Sequence, residues 1–196
     1  MRMRLSKTAR VFLAAFAWTV LAWQTASAQE IGVPARLQID LLNKVVTYDR
    51  NFVAHAAHPL GVIVVIKAGD ADSERVGAQL MGELRGRSSL GKLAHRATLV
   101  RYANPKALAD LCRTNRASIL YLSSGFGSQV SAIADALRGL PVLSVAASDD
   151  DVKRGIVLGF GVRSGKPKLL IHLGRARSQG VDFRADLLRI AEVVSS

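Results

Sequence analysis

The chain has 196 residues, 49% of them hydrophobic, and 27 lysines and arginines against 15 acidic residues give it a net charge of +12. The cations are scattered as singles and pairs (Arg85 and Arg87, Lys153 and Arg154, Arg175 and Arg177) without interleaved aromatics, which argues against the concentrated stacking stripe of a nucleic-acid groove, so no nucleic-acid partner is expected. A single cysteine, Cys112, excludes an internal disulfide; its helical context, Leu108 to Cys112, predicts a buried small hydrophobe.

In chain order, the first element is a leader. Arg2, Arg4, Lys7 and Arg10 form a basic start with no acid, Val11–Trp23 is a stretch of 13 residues without a charge, and Ala26-Ser27-Ala28 is a small-x-small cleavage site. This is the three-part secretory pattern, and its apolar part is too short to span a bilayer. Residues 1–28 are read as a signal peptide with Gln29 as the new terminus. The remaining 168 residues, carrying 23 − 15 = +8, suit one domain over 29–196 in the periplasm, with no later membrane segment.

Pro34 opens a helical pattern in which Leu37, Leu41, Leu42, Val45 and Val46 recur at three- and four-residue spacing. It ends in Tyr48-Asp49-Arg50-Asn51, read as a helix C-terminus with Asn51 as its cap. Gly61–Ile66 is a β-branched run suited to a strand buried on both faces. A helix over 72–85 follows, capped by Asp72 or Ser73. The rhythm then repeats: strand Ala97–Tyr102, an Asn104-Pro105 cap and helix Lys106–Arg113, strand Ser118–Leu122, helix Ser128–Leu137, strand Pro141–Ala146. Strands alternating with helices predict an α/β fold of three layers with a mostly parallel sheet. Gly155–Val162 and Lys168–Leu173 are separated by too few residues for a parallel crossover, so they form a C-terminal antiparallel hairpin. A closing helix over 183–194 is expected to bury Leu187, Leu188, Ile190 and Val194.

Chemistry is sparse along this frame. His55 and His58 are spaced i, i+3 but lack a third ligand nearby, so no metal site is assigned. Ser123-Ser124-Gly125 lacks the frame of a nucleophile elbow. Gly159-Phe160-Gly161 reads as a strand bulge and Asp149-Asp150-Asp151 as a solvated acidic turn. No catalytic residue and no cofactor is expected. In a doubly wound sheet a ligand sits at the C-terminal ends of the strands, which makes Asp70, Ser123, Ser124 and Ser148 the candidate crevice.

The final stretch carries a resemblance. Gly165-Lys166-Pro167-Lys168-Leu169-Leu170-Ile171-His172-Leu173, then Ala176-Arg177, Gln179–Arg184 and the Leu187-Leu188 pair, resembles the closing signature of the YfiR-like family of periplasmic regulatory proteins. There a strand ends in Asn-Leu, an Ala-Arg-like pair follows, and a helix carries Leu-Leu. This chain departs in three places. His172 stands where the family has Asn, the paired cysteines of some members are reduced to Cys112, and Tyr48–Phe52 replaces an aromatic Trp-Pro-like end. The resemblance implies a non-enzymatic regulator that binds the periplasmic sensor region of an inner-membrane signalling protein, such as a diguanylate cyclase or a sensor kinase, in cyclic-di-GMP signalling. A small-ligand binding module is the alternative, and a homodimer is left open. For partner binding, Tyr48, Asp49, Arg50 and Asn51 are singled out, because they gather an aromatic, both charge signs and an amide in four consecutive residues.

Overall fold

The computed structural model describes residues 32–194, so the expected signal peptide and its cleavage site before Gln29 lie outside the described residues. Eight strands form one sheet in the order β2-β3-β1-β4-β5-β6-β7-β8. They are β1 (Leu60–Ile66), β2 (Ser89–Leu90), β3 (Leu93–Arg101), β4 (Ala117–Leu122), β5 (Leu143–Ala146), β6 (Leu158–Arg163), β7 (Lys166–His172) and β8 (Glu192–Val194). β3, β1, β4, β5 and β6 run parallel, and β7 returns antiparallel to β6 through a tight turn at Ser164-Gly165.

The register explains the apolar runs. In β1, Val62 and Val64 point into one core while Ile63 and Val65 point into the other. A strand covered on both faces has no solvent side and therefore no polar alternation. Val64, Leu120 and Val145, expected in adjacent strands, are fully buried in β1, β4 and β5. The short helix α2 (Phe52–His55) precedes β1; one face of the sheet is covered by α1 (Ala35–Val45) and α3 (Ala71–Arg85), the other by α4 (Pro105–Thr114) and α5 (Val130–Ala136). The expected three-layer, mostly parallel α/β fold with its C-terminal hairpin is the observed one. Across the first layer, Gln38 of α1 is buried. Its amide donates to the Val33 carbonyl at 2.6 Å, and its oxygen accepts from the Tyr121 hydroxyl in the middle of β4.

Several local readings are corrected. Asp70, not Asp72 or Ser73, caps α3: its carboxylate accepts the Ser73 N–H at 3.0 Å. β3 begins four residues earlier than expected, at Leu93, and pairs with β2 through a two-residue turn at Gly91-Lys92, both with positive φ. Gly159 and Gly161 sit in regular register with Leu170 and Lys168, so there is no bulge. A Cβ on Gly159 would meet Val152 at 2.4 Å and the Ser148 carbonyl at 3.0 Å, so a larger residue there forces a shift, while one on Gly161 would meet only the movable Asp149 side chain at 2.9 Å. Val152 and Asp149 belong to α6 (Asp149–Lys153), a helix turn where a loop was expected, with Asp151 buried.

The closing segment differs most. Leu173–Ser178 is a helix, α7, and the last helix, α8, is only Ala185–Ile190. After Ala191 the chain becomes β8, parallel to β7, so Val194 lies in a strand and Ile190 is 61% exposed. Leu187 is buried and Leu188 half-buried, as expected. Six residues suffice for α8 because one buried leucine anchors it, and the β-branched Val193-Val194 pair suits a pleated edge better than another helical turn. At the α7 start, His172 is the N-cap. Its Nδ1 accepts the Arg175 N–H at 3.4 Å, and burial, with Arg175 nearby, lowers its pKa and keeps that nitrogen free to accept.

Candidate functional site

Tyr48–Asn51 does close the first helical stretch, but Asp49 rather than Asn51 is its cap. α1 stops at Val45, a single 3-10 turn covers Val46–Tyr48, and Asp49 is extended and bridges Phe183. Further contacts tie this segment together and to residues 180–184. The buried Asp49 carboxylate accepts the Asn51 N–H at 3.0 Å and the Asp182 N–H at 2.9 Å. The Asn51 amide donates to the Gly180 carbonyl at 2.9 Å, Arg50 pairs with Asp182 at 3.0 Å, and the Arg184 guanidinium lies 5.7 Å from the centre of the Tyr48 ring. Burial raises the Asp49 pKa, and the two backbone donors oppose that rise. Asp49 and Asn51 therefore hold the two ends of the described chain together, while half-buried Tyr48 and exposed Arg50 remain available at the surface.

Asp70, Ser123 and Ser124 do come together at the C-terminal ends of β1 and β4, where the strand order reverses, with Ser148 one strand further along. The side chains there are already engaged. Ser73 accepts the Lys67 N–H at 2.8 Å and shares a buried 2.6 Å hydrogen bond with Ser123. Asp70 is occupied by its cap and lies so close to Gly125 that a Cβ there would meet its carboxylate at 2.6 Å. Lys67 reaches across to the Gly125 carbonyl at 3.3 Å. Ser124 Oγ is buried without a partner among the described residues. Apart from Ser124, the polar groups at the usual ligand end of this fold are taken up within the protein itself.

An opening lies at the other end. A cavity of about 470 Å³ is lined by Ala54–Ala57 before β1, by the end of α4, and by Leu140–Val142 before β5. Its polar residues are His55, Arg113 and Arg116, with no acidic residue in the lining. Arg116 adopts φ +46°, and it joins no ion pair among the described residues. Cys112 also lines the cavity, but burial pushes its thiol up to about 11. It is protonated at neutral pH and a poor nucleophile. No motif in the sequence marks this place, because the left-handed residue between α4 and β4 is Arg116 rather than a glycine. Among the described residues, no group of three or more His, Cys, Asp and Glu side chains is placed to hold a metal.

Comparison with known proteins then bears on the closing signature. The YfiR/HmsC-like family model matches residues 56–192, from just before β1 into β8. The chain belongs to the YfiR/HmsC-like family. YfiR/HmsC-like proteins are, at family level, regulators of cyclic-di-GMP signalling. The match takes in the Gly165–Leu188 signature but leaves out α1 and Tyr48–Asn51. No curated protein matches the chain significantly.

Among solved structures, a conserved domain protein from Vibrio cholerae is similar at 12% identity and a TM-score of 0.58, over 83% of this chain and 60% of that one. A ligand-free, open substrate binding protein with adhesive properties from Clostridium difficile matches at 9% identity and 0.58, over 84% and 60%. A domain from Streptococcus pneumonia in complex with L-Trp matches at 9% and 0.58, over 82% and 62%. This YfiR/HmsC-like chain thus spans about 60% of the length of those proteins, and at such identities the likeness is one of fold. No described helix is long and apolar enough to cross a membrane.

Proposed function

We propose that the protein is exported, loses residues 1–28, and acts in the periplasm as a single α/β domain that binds the periplasmic sensor region of an inner-membrane signalling protein, a diguanylate cyclase or a sensor kinase, and modulates its activity. The family match over 56–192 carries this reading. A regulator that works by docking needs shaped surface on a stiff frame. Tyr48 and Arg50, held by the bonds of their neighbours Asp49 and Asn51, supply an aromatic and a guanidinium of the kind that anchor interfaces. Deleting the gene is expected to change cellular cyclic-di-GMP, and the full-length gene, but not one lacking codons 1–28, to restore it. Unchanged cyclic-di-GMP in the deletion strain would remove the reading. A chain with both Tyr48→Ala and Arg50→Ala should stay folded yet lose roughly 30-fold in affinity for that sensor region, the usual cost of an interface anchor.

The cavity supports a second reading, a small-ligand binding module. Its volume is within the range of ligand sites, and its apolar walls with a cationic rim suit a small organic acid. Thermal shift against a panel of aromatic and aliphatic carboxylates tests it; a flat response across the panel would leave the cavity a surface fold only.

A further inference from the structure

We propose that the outer edge of β3 is a strand-addition site for an acidic extended segment. β3 is nine residues long and pairs with β1 from His95 to Arg101, but on its other side β2 covers only Leu93 and Ala94. The Tyr102 N–H donates to the Ile66 carbonyl at 2.8 Å. A parallel ladder repeats every two residues, so Val100, Thr98 and Arg96 also turn their backbone groups toward β1. The N–H and C=O of His95, Ala97, Leu99 and Arg101 then face outward. The hairpin agrees, since Leu93, of the same parity, is the residue paired with Leu90 across the two-residue turn. Four consecutive rungs stand open, with no other strand against them among the described residues. Arg96, Thr98, Leu99 and Arg101 are exposed, so no helix covers that edge.

Charge selects the occupant. Lys92, His95, Arg96 and Arg101 supply every ionisable group from Lys92 to Arg101, and neither arginine joins an ion pair among the described residues. A second copy would bring the same surplus of cations, Lys92, Arg96 and Arg101, to the same edge, and like charges across a ladder destabilise a sheet. The same cations attract a strand bearing glutamates or aspartates. Main-chain bonds would supply the affinity and alternate side chains the selectivity, as in other strand-addition modes. The edge starts at the hairpin whose Gly91 lies against Val46 and Phe52, so an added strand begins beside the segment bearing Tyr48 and Arg50. That the segment belongs to the signalling partner rests on the regulator reading; the site itself does not.

The test uses the exported protein and a seven-residue peptide alternating glutamate and valine, read by amide hydrogen exchange. Saturating peptide is expected to slow exchange at His95, Ala97, Leu99 and Arg101 by about 10-fold or more, and to leave Arg96, Thr98 and Val100, already bonded to β1, unchanged. A lysine–valine peptide should protect none of them. Ala97→Pro deletes an outward N–H, which an edge strand tolerates, and should abolish the protection. An Arg96→Glu, Arg101→Glu chain, which leaves the backbone intact, should lose it as well. Absent protection, equal protection by the lysine peptide, or full protection in the folded Ala97→Pro chain would each overturn the site. Protection of the same amides that grows with protein concentration alone would replace the acidic segment with a second copy. If the peptide binds as expected while gene deletion leaves cyclic-di-GMP unchanged, the edge stands and the regulator reading falls.

Discussion

The two ends of the parallel sheet make opposite use of similar material. At the C-terminal end, where the strand order reverses, Ser73, Ser123, Asp70 and Lys67 spend their polar groups on one another and on the Gly125 carbonyl, over distances of 2.6 to 3.3 Å. At the N-terminal end, Arg116 and His55 face a cavity of about 470 Å³ and few neighbours. A topological switch point provides a place for a ligand but does not oblige the chain to leave it open; side chains decide. In this protein the sealed end contributes stability and the open end contributes surface.

That contrast can be broken or sharpened. The largest effect expected is kinetic and concerns the open end. With its thiol at about 11, Cys112 should react with iodoacetamide at pH 7.5 about 100-fold more slowly in the folded protein than in the chain unfolded by urea. A rate within a few-fold of the unfolded chain would show that the cavity wall opens. At the sealed end, Ser73→Ala removes the acceptor for the Lys67 N–H and the partner of Ser123. Urea denaturation should report a loss of about 2 kcal/mol, against less than about 0.5 kcal/mol for Arg113→Ala at the open end. Equal losses would erase the distinction between the ends.

A smaller effect is expected from Asp151, buried beside the sealed end with a pKa raised by desolvation to about 6. Its folded pKa lies above its unfolded value. The stabilising contribution is therefore complete below about pH 4 and is lost as pH rises through 6. Asp151→Asn should remove this slope between pH 4 and 7 and gain about 1 kcal/mol at pH 8; a parallel pH profile for the variant would show that Arg154, 3.5 Å away, already compensates the charge. The smallest effect belongs to Arg116. Arg116→Gly relieves a left-handed backbone, and a gain of about 0.5 kcal/mol is expected in thermal unfolding. A clear loss would mean that the guanidinium holds the cavity mouth together.

Much of the frame is legible in the sequence, for a stated reason. β1, β4 and β5 must be apolar on both faces, and the Asn104-Pro105 pair announces α4, where Asn104 accepts the Ala107 N–H at 2.8 Å. β3 is harder because its outer half is solvated; Lys92, His95 and Arg96 interrupt the pattern, and only Gly91-Lys92 hints at the turn. The closing strand hides because Ala185–Val194 is compatible with a helix throughout, and pairing with β7 overrides that preference. Candidate sites fared unevenly. Asp70 and Ser123 lie at the C-terminal ends of the strands, yet their hydrogen bonds turn inward to Ser73. Tyr48–Asn51 could not be read correctly from local pattern, because the partners of Asp49 and Asn51 lie at 180–182. The cavity residues come from three separate stretches, with no motif among them.

The tie between Asp49 and Asp182 spans 133 residues. Closing a loop of that length costs roughly 4 kcal/mol of chain entropy before any contact repays it. A chain emerging from a ribosome or a translocation pore in order, N-terminus first, can assemble β1, β3 and β4 while Asp49 still lacks Asp182 N–H. The last fifteen or so residues of the chain therefore act as a latch on assembly, as they arrive after everything they fasten. The sheet can form first, and its fastening waits for the 180–184 segment that bonds Asp49 and Asn51.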